Sequence, residues 1–365
     1  MEISFNKSDV FLPLTQASSI VNQKNVIPIL GCFYISTYDD CAIVTSSDGE
    51  TWLDIKLKIQ SDGKFKVAIN AANLTRALKN LDEGVVNVRF ENNVATFNYN
   101  GGFFKLPYTT DGYPTPPNKA KITGDNSVTV SKSELFESLN CVDYAVANDA
   151  LRLIMNGVHF EFCESGVITV ASDTFKLAKY TNNINIPICG NFTIQSKASA
   201  LLKSIICDDG DINIKFNESF ASFTCSSFKL TTKLIEGNYP KYNVVIPTDF
   251  KFCAEVNKSA LLDAVKRVSL MGNETTELVK LKFSNNLLKV TSNNDELNTS
   301  GEEDITCKYD GEDIIIGFKC SSICDVLRKI NSDIIYIELS EPNRACVFHY
   351  GNKDKYLALL MPLLI

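Results

Sequence analysis

A stretch of about 17 residues that occurs three times decides the fold class. It reads FNKSDVFLPLTQASSIV at Phe5–Val21, VSKSELFESLNCVDYAV at Val130–Val146 and VNKSALLDAVKRVSLM at Val256–Met271. The lysine of this stretch recurs at intervals of 125 and 126 residues, at Lys7, Lys132 and Lys258. A fixed period of this kind indicates a repeated structural unit.

Two helices are predicted in each repeat. In the first, apolar residues follow the Lys-Ser pair at helical spacing, so the serine is expected to cap the helix at Ser8, Ser133 and Ser259. A second helical pattern recurs at Ala71–Leu81, Ser196–Ile205 and Cys320–Ile330. Between the helices, short alternating or β-branched runs such as Val85–Tyr99, Asp211–Thr224 and Ile334–His349 predict strands.

The repeats predict three similar α+β domains in tandem. Turn-rich segments at Thr109–Lys119 and Glu236–Pro247 separate them, because Gly, Pro and Asp interrupt regular structure there. We therefore place the domains at residues 1–121, 122–247 and 248–365.

Composition excludes several classes of protein. With 45% hydrophobic residues the chain can bury sizeable cores, and no apolar stretch approaches the ~20 residues that cross a bilayer. Lys and Arg total 36 against 43 Asp and Glu, a net charge of −7, so any contact with nucleic acid must be local.

Histidine and cysteine usage argues against an enzyme or a metal protein. There are two histidines, His159 and His349, and the twelve cysteines include no CxxC pair. We therefore expect neither a catalytic residue, a bound metal nor a cofactor. Because no signal-peptide pattern is present, we also expect a cytoplasmic protein with reduced thiols.

Basic residues concentrate on the second helix of each repeat, which carries a single acidic residue, Asp325. If these helices share one surface, they form a stripe that binds a phosphate backbone without reading its sequence. The alternative is that each cation only complements a helix dipole. The residues are Arg76, Lys79, Lys197, Lys203, Arg328 and Lys329, extended by Lys266 and Arg267 from the first helix of the third repeat.

Five motifs lie in order along the chain: IPILG (Ile27–Gly31), RLIMNGVHFE (Arg152–Glu161), SDTFKLA (Ser172–Ala178), KLIEGNYPKY (Lys233–Tyr242) and MPLLI (Met361–Ile365). On a triplicated chain they resemble the bacterial sliding clamp family, the beta subunit of DNA polymerase III. The resemblance covers the whole chain and implies "DNA clamp" domains, with helices inside and antiparallel sheets outside. It further implies a head-to-tail homodimer, a six-domain ring around double-stranded DNA, and a non-catalytic processivity factor.

The resemblance also implies partners and sites. The replicative DNA polymerase, the clamp loader and other proteins with a clamp-binding motif would dock a peptide in an apolar cleft between the second and third domains. The cleft would comprise Arg152, Met155, Ser172, Thr174, Phe175, Lys176, Leu177, Pro240, Val244, Val245, Leu359, Met361, Pro362, Leu363, Leu364 and Ile365. Lys24 would join the DNA-facing residues, and Phe104 and Leu106 would meet the partner protomer's third domain at the positions of Leu270 and Met271.

The chain departs from the family pattern in the cleft. Residues Ser172–Leu177 read SDTFKL where the family usually has TDGHRL, and the chain ends MPLLI where MPMR is common. The cleft is therefore expected to be more apolar and to prefer a different peptide. We expect Leu363–Ile365 to be peripheral to the fold, as chain termini usually are.

Two alternatives remain at the level of sequence. Acidic clusters at Asp208–Asp211 and Glu302–Asp304 could hold Mg²⁺ in an enzyme, although solvated strand connections explain them as well, and Cys320 and Cys324 read as core residues. A non-catalytic β-rich structural or carbohydrate-binding repeat protein would also fit the repeats, but it does not account for the basic helix positions.

Overall fold

The computed structural model describes residues 1–22, 25–117, 122, 127–186, 188–206 and 209–365. These residues form two compact units. The first unit contains Met1–Phe136 and Lys197–Ile235, and the second contains Glu137–Ser196 and Glu236–Ile365. The second repeat therefore contributes residues to both units.

The three repeats share one order of elements, except that the first has an additional short strand, β5 (Gln60–Ser61). The first comprises β1 (Glu2–Asn6), α1 (Lys7–Ser18), β2 (Cys32–Thr37), β3 (Cys41–Ser47), β4 (Thr51–Lys58), β5 (Gln60–Ser61), β6 (Lys66–Asn70), α2 (Ala71–Lys79), β7 (Val85–Glu91), β8 (Val94–Tyr99) and β9 (Gly102–Thr109). The second comprises β10 (Ser127–Ser131), α3 (Lys132–Val142), β11 (Gly157–Cys163), β12 (Gly166–Ser172), β13 (Lys176–Asn182), β14 (Gly190–Gln195), α4 (Ser196–Ile205), β15 (Asp211–Phe216), β16 (Phe220–Thr224) and β17 (Phe228–Lys233). The third comprises β18 (Phe252–Asn257), α5 (Lys258–Ser269), β19 (Leu278–Ser284), β20 (Leu287–Asn294), β21 (Thr299–Lys308), β22 (Ile314–Lys319), α6 (Cys320–Lys329), β23 (Ile334–Leu339), β24 (Cys346–His349) and β25 (Tyr356–Leu360).

The predicted helices are confirmed, but the predicted caps are wrong. Each first helix begins at the lysine itself, so Ser8, Ser133 and Ser259 lie inside the first turn. In the second and third repeats the capping side chain belongs to the residue before the lysine, whereas Asn6 of the first repeat makes no side-chain cap hydrogen bond. Asn257 Oδ1 accepts the Ala260 N–H at 2.9 Å, and Ser131 Oγ accepts the Glu134 N–H at 3.2 Å.

The repeated lysine has a structural role. Lys7 Nζ donates to the Leu81 carbonyl at 2.6 Å, and Lys258 Nζ donates to the Ile330 carbonyl at 3.0 Å. Both carbonyls lie just after the second helix of the repeat, where backbone acceptors have no helical partner. Lys132 is only 2% exposed. The lysine thus fastens the start of the first helix to the end of the second.

The strands form one antiparallel sheet in each unit of the described chain. The first unit's sheet has the order β10-β15-β16-β17-β4-β3-β2-β6-β9-β8-β7-β1-β5, and the second unit's has the order β14-β11-β12-β13-β25-β24-β23-β18-β21-β20-β19-β22. Helices α1 and α2 pack together in the first unit, and α5 and α6 do so in the second. Apolar residues on the buried helix faces, such as Leu14, Leu78, Leu261 and Leu327, complete the cores.

Strands of successive repeats pair in one constant register. The last strand of the second repeat, β17, pairs with β4 of the first so that Leu230 faces Leu53. The last strand of the third repeat, β25, pairs with β13 of the second so that Ala358 faces Ala178. In both cases the third residue of one strand faces the third residue of the other, and each sheet therefore continues from one repeat into the next.

Within the described part of the chain, none of the helices is both long enough and apolar enough to cross a bilayer.

Candidate peptide cleft and basic helix positions

The turn between β12 and β13 holds the central residues of the predicted cleft. Asp173 Oδ1 accepts the backbone N–H groups of Phe175 and Lys176 at 2.9 and 2.8 Å, and Ser172 Oγ donates to the Lys176 carbonyl at 2.9 Å. These bonds fix the turn, and they leave the Phe175 ring 70% exposed. Thr174 has a φ of +81°, a conformation that β-branched residues rarely adopt.

The floor of this region is apolar. Leu177 of β13 and Leu359 of β25 face each other in the paired strands. Both are buried in one cluster with Val170, Ala345, Val347 and Tyr242. The sheet therefore presents an apolar face at the predicted cleft, as expected for a ligand site lined mainly by hydrophobic side chains.

A short 3-10 helix, Tyr242–Val245, lies over this face and divides its side chains between core and solvent. Tyr242 points inward, and its hydroxyl donates to Glu161 Oε2 at 2.5 Å. Val244 and Val245 are 77% and 55% exposed. Burial raises the pKa of Tyr242, so the phenol stays protonated and keeps donating to the carboxylate.

His159 packs against the segment that precedes this helix. Its ring stacks on Tyr239 with centroids 4.4 Å apart, and its Nδ1 lies 3.0 Å from Thr193 Oγ1. Burial lowers the pKa of His159 to about 4, so the imidazole is neutral at pH 7. The neutral imidazole thus packs against Tyr239, the residue that precedes Pro240.

The C-terminal residues are part of the third repeat's sheet. The Met361 N–H donates to the Phe175 carbonyl at 2.8 Å, and the Leu363 N–H donates to the Gly317 carbonyl of β22 at 2.8 Å. A Cβ at position 317 would lie 3.1 Å from the Leu363 carbonyl oxygen, so the glycine permits this close approach. The expectation that the whole tail is peripheral is wrong for Leu363, because it forms a bridge to a sheet strand. Leu364 and Ile365 are 90% and 58% exposed.

The structure therefore brings together part of the predicted cleft set. Ser172, Thr174, Phe175, Lys176, Leu177, Leu359 and Met361 meet through the β13–β25 pairing, and exposed Pro240, Val244 and Val245 belong to the covering segment. Pro362 and Leu363 are half-buried towards β22. Met155 is buried in the 3-10 helix Leu153–Met155, and the guanidinium of Arg152 is held by Asp149 at 2.8 Å.

Lys176 is withdrawn into a polar network that the sequence did not reveal. Its ammonium lies 3.2 Å from Asp325 Oδ2 of α6 and 5.7 Å from the centroid of the Tyr144 ring, with only 13% of the side chain exposed. The Tyr144 and Tyr356 hydroxyls are 3.3 Å apart. Asp325 was visible in the sequence only as the single acid among basic helix positions, and no spacing rule pointed to its partner.

Five of the predicted DNA-facing cations form ion pairs with nearby carboxylates. These are Lys197 with Asp48 (2.7 Å) and Glu50 (3.1 Å), Arg267 with Glu303 (3.0 and 2.5 Å), Lys329 with Asp143 (3.0 Å), Arg328 with Asp325 (3.5 Å) and Lys266 with Asp263 (3.9 Å). The hydrogen bonds from Arg267 lower the pKa of Glu303, so this carboxylate is ionised at neutral pH. Four of these carboxylates lie outside the helices that carry the cations, so the charges of those helices alone did not reveal them. They belong to Asp48, Glu50, Asp143 and Glu303.

Arg76 and Lys79 differ from the paired cations. Both are exposed in the last turn of α2, and no carboxylate of a described residue lies within 4.0 Å of either. Lys203 is half-buried on α4, and Lys24 lies outside the described residues. Arg76 and Lys79 are thus the exposed charges most available to an external anion on α2.

The residues predicted for the protomer interface are partly exposed in the single chain. Phe104 of β9 stacks on Phe97 with centroids 4.5 Å apart, and Leu106 faces Ala95 in the neighbouring strand. Leu270 and Met271, directly after α5, are 77% and 41% exposed.

The acidic cluster at Glu302–Asp304, which could suggest an enzyme, is engaged in other contacts. Lys289 pairs with Glu302 and lies 3.5 Å from Asp304, while Glu303 is held by Arg267. Asp208 lies outside the described residues. Across the described ranges no group of three or more His, Cys, Asp or Glu side chains is arranged to hold a metal ion.

Tandem α+β repeats whose sheets continue from one repeat into the next define a chain of the DNA clamp class. Family models for the DNA polymerase III beta subunit match it in three parts: the N-terminal domain at residues 1–115, the central domain at 129–241 and the C-terminal domain at 243–364. The chain therefore belongs to the DNA polymerase III beta subunit family, the sliding clamps that act as processivity factors in DNA replication.

Relatives and solved structures agree over the full length. The beta sliding clamps of Pseudomonas aeruginosa and Haemophilus influenzae are 23% and 24% identical, each over 100% of both chains. The P. aeruginosa sliding clamp bound to griselimycin superimposes with a TM-score of 0.93 at 23% identity, over 100% of both chains. The Bacillus subtilis clamp gives 0.91 at 22% identity, over 100% of this chain and 99% of that one. These structures establish the fold.

The strained turn generates a test of stability. The equivalent turn of the first repeat, Ser47–Asp48–Gly49, has a glycine with a φ of +96° where Thr174 stands. Because a β-branched residue at positive φ costs about 1–3 kcal/mol, Thr174→Gly should raise the free energy of unfolding by about 1 kcal/mol after the entropic cost of glycine. Urea denaturation followed by circular dichroism measures the change.

The matched control is the reverse exchange, Gly49→Thr. A Cβ there meets only Leu30 Cδ1 at 3.8 Å, so the substitution adds backbone strain without a clash and should destabilise. A Thr174→Gly variant no more stable than the wild type would contradict the assignment of strain to this turn.

Proposed function

We propose that the chain works as a head-to-tail homodimer that forms a closed ring around double-stranded DNA. In this proposal its three domains, at residues 1–121, 122–247 and 248–365, act as a non-catalytic accessory subunit in the cytoplasm. The cleft would tether the replicative DNA polymerase, the clamp loader and other proteins that carry a clamp-binding motif. A β-rich structural or carbohydrate-binding protein is not favoured, because this chain matches the family models of the DNA polymerase III beta subunit.

The observation that carries the dimer is a pair of unused strand edges. Among the described residues, β9 pairs with β6 only at Tyr108 and Thr109, and β21 pairs with β18 only at Cys307 and Lys308. The remaining lengths of both strands have one edge without a partner strand in the described chain. An open edge of this kind is a template for pairing with another chain.

The repeat register says how these edges would meet. Because β9 corresponds to β17 and β25, and β21 corresponds to β4 and β13, the third residues should again face each other. That register places Phe104 of one protomer opposite Gly301 of the other. A side-chain position at Gly301 lies 3.3 Å from Met271 Cγ, so the Phe104 ring would land beside Met271. The contact joins two different surfaces, as a ring-closing heterologous interface requires.

A paired cysteine substitution tests both the dimer and its register. In the proposed pairing Lys105 faces Ser300, so Lys105→Cys/Ser300→Cys should form a covalent dimer under mild oxidation, seen on a non-reducing gel. Light scattering of the unsubstituted protein should give twice the chain mass across a dilution series.

Two comparisons make this test specific. Lys105→Cys/Thr306→Cys places the second thiol six residues out of register and should remain uncrosslinked, as should the wild type with its native cysteines. A monomeric mass, or equal crosslinking of both pairs, would refute the proposed interface.

The pattern of ion pairs predicts which cations carry DNA binding. Arg76→Gln/Lys79→Gln removes two charges that pair with no carboxylate of the described residues, so the slope of log K against log salt should lessen by about 2, at ~0.9 per phosphate contact. Fluorescence anisotropy of a labelled linear duplex at several salt concentrations gives the slope. The matched control, Arg267→Gln/Glu303→Gln, removes a cation together with its carboxylate and should change the slope much less. Equal changes in the two variants would contradict the assignment.

The cleft is tested with a labelled clamp-binding peptide derived from a replicative DNA polymerase. Val245→Glu places a charge on the exposed apolar wall and should weaken binding about tenfold or more, since desolvated anchors dominate such interfaces. Val26 is 95% exposed in the first unit, so Val26→Glu is a control of the same chemistry that should bind normally. Unchanged affinity in Val245→Glu would remove this wall from the cleft.

A further inference from the structure

A preformed cavity of about 310 Å³ lies in the first unit, between the end of α1, α4 and the turn that joins β3 to β4. Its apolar wall includes Ala200 and Leu201, and its polar groups include Ser19, Ser204 and Lys197. The volume falls at the lower end of the range for small-molecule sites, ~300–1,000 Å³. The peptide cleft does not use this cavity. Lys197 is the predicted DNA-facing residue in its lining, and it is paired with Asp48 and Glu50.

The cavity has a filled counterpart in the next repeat. Ser19 and Tyr144 each lie twelve residues after the repeated lysine, at Lys7 and Lys132. Thr51 and Lys176 are the first residues of β4 and β13, and Leu201 and Asp325 are the sixth residues of α4 and α6. Three residues that line the cavity thus correspond to three residues that touch one another in the second unit.

At the filled counterpart an aromatic ring occupies the space. The Tyr144 ring lies under the Lys176 ammonium at 5.7 Å, Lys176 pairs with Asp325 at 3.2 Å, and the Tyr144 hydroxyl lies 3.3 Å from that of Tyr356. In the first unit a serine replaces this tyrosine and a threonine replaces this lysine. The loss of both large side chains leaves the cavity open.

Contacts at both ends hold the cavity open. Gln16 Nε2 donates to the Ser204 carbonyl at 2.7 Å, which ties α1 to α4. Lys197 Nζ lies 2.7 Å from Asp48 Oδ2, which ties α4 to the β3–β4 turn. A site that is braced before its ligand arrives spends less binding free energy on ordering.

We propose that this cavity binds a small planar aromatic molecule that carries one hydrogen-bond donor, such as a phenol or an indole. The Ser19 and Ser204 hydroxyls donate to the carbonyls of Gln16 and Leu201, so their oxygen lone pairs remain to accept the donor. The ring takes the place that Tyr144 fills in the second repeat. The Lys197 ammonium at the wall supplies the cation that Lys176 supplies there.

Ligand-detected NMR titration of the full chain with phenol and with indole tests the site. We expect saturable binding with a dissociation constant on the order of 1 mM, as suits fragments of this size. Ser19→Tyr restores the ring found in the second repeat and should reduce the affinity about tenfold or more. Ala200→Phe fills the cavity from the opposite wall. It should reduce the affinity in the same way, and it replaces Ser19→Tyr in the test if that variant does not fold. Thr15→Tyr, on an exposed face of the same helix, is the matched control and should bind like the wild type.

Three results would overturn the proposal. The first is no saturable binding of either probe to the wild type. The second is unchanged affinity in the filled variants. The third is equal binding of cyclohexanol, which has the hydroxyl of phenol without its planar ring and would refute the aromatic class.

Discussion

The pairing of a repeat's last strand with an inner strand of the preceding repeat is the constraint on which this architecture depends. It is made twice in the chain, with Leu230 on Leu53 and Ala358 on Ala178. Each pairing buries apolar residues on both strands, so a slip of one residue would turn both sets of side chains to solvent. Three repeats make two such pairings and leave one strand of each kind with an open edge. In the proposed homodimer, a second chain pairs with both of these open edges.

The two repeat junctions share a backbone plan but differ in side chains, and this difference supports the proposal that a peptide binds at the second junction. The second residue of β4 is Trp52, which packs with Phe220 and Ile122. The second residue of β13 is Leu177, and it shares its cluster with the small Ala345. Smaller side chains there leave an apolar face against which Tyr239, Ile246 and Phe250 pack.

Features that arise from periodicity could be predicted from the sequence, whereas features that arise from contacts between distant residues could not. The helices and strands could be predicted because their apolar spacing repeats three times. The predicted caps Ser133 and Ser259 lie two residues after the observed caps, Ser131 and Asn257. Lys132, between Ser131 and Ser133, is buried in the structure, and no local sequence pattern reveals that burial. The ion pairs of Lys197 with Glu50 and of Arg267 with Glu303 join residues that are 147 and 36 positions apart. Such pairs arise from the packing of helix on sheet, so inspection of one helix at a time could not show them.

These ion pairs bear on how a clamp can hold DNA and still move along it. An exposed ion pair contributes about 0–1 kcal/mol, so exchanging a carboxylate for a phosphate changes the free energy little. In the proposed complex a cation such as Arg267 returns to Glu303 whenever it leaves a phosphate, and its charge is never left uncompensated. Each step along the duplex then replaces one weak pair by another of similar strength. In the proposed complex, retention on DNA would therefore come from the closed ring, and Arg76 and Lys79 would add a modest attraction that carries no sequence information.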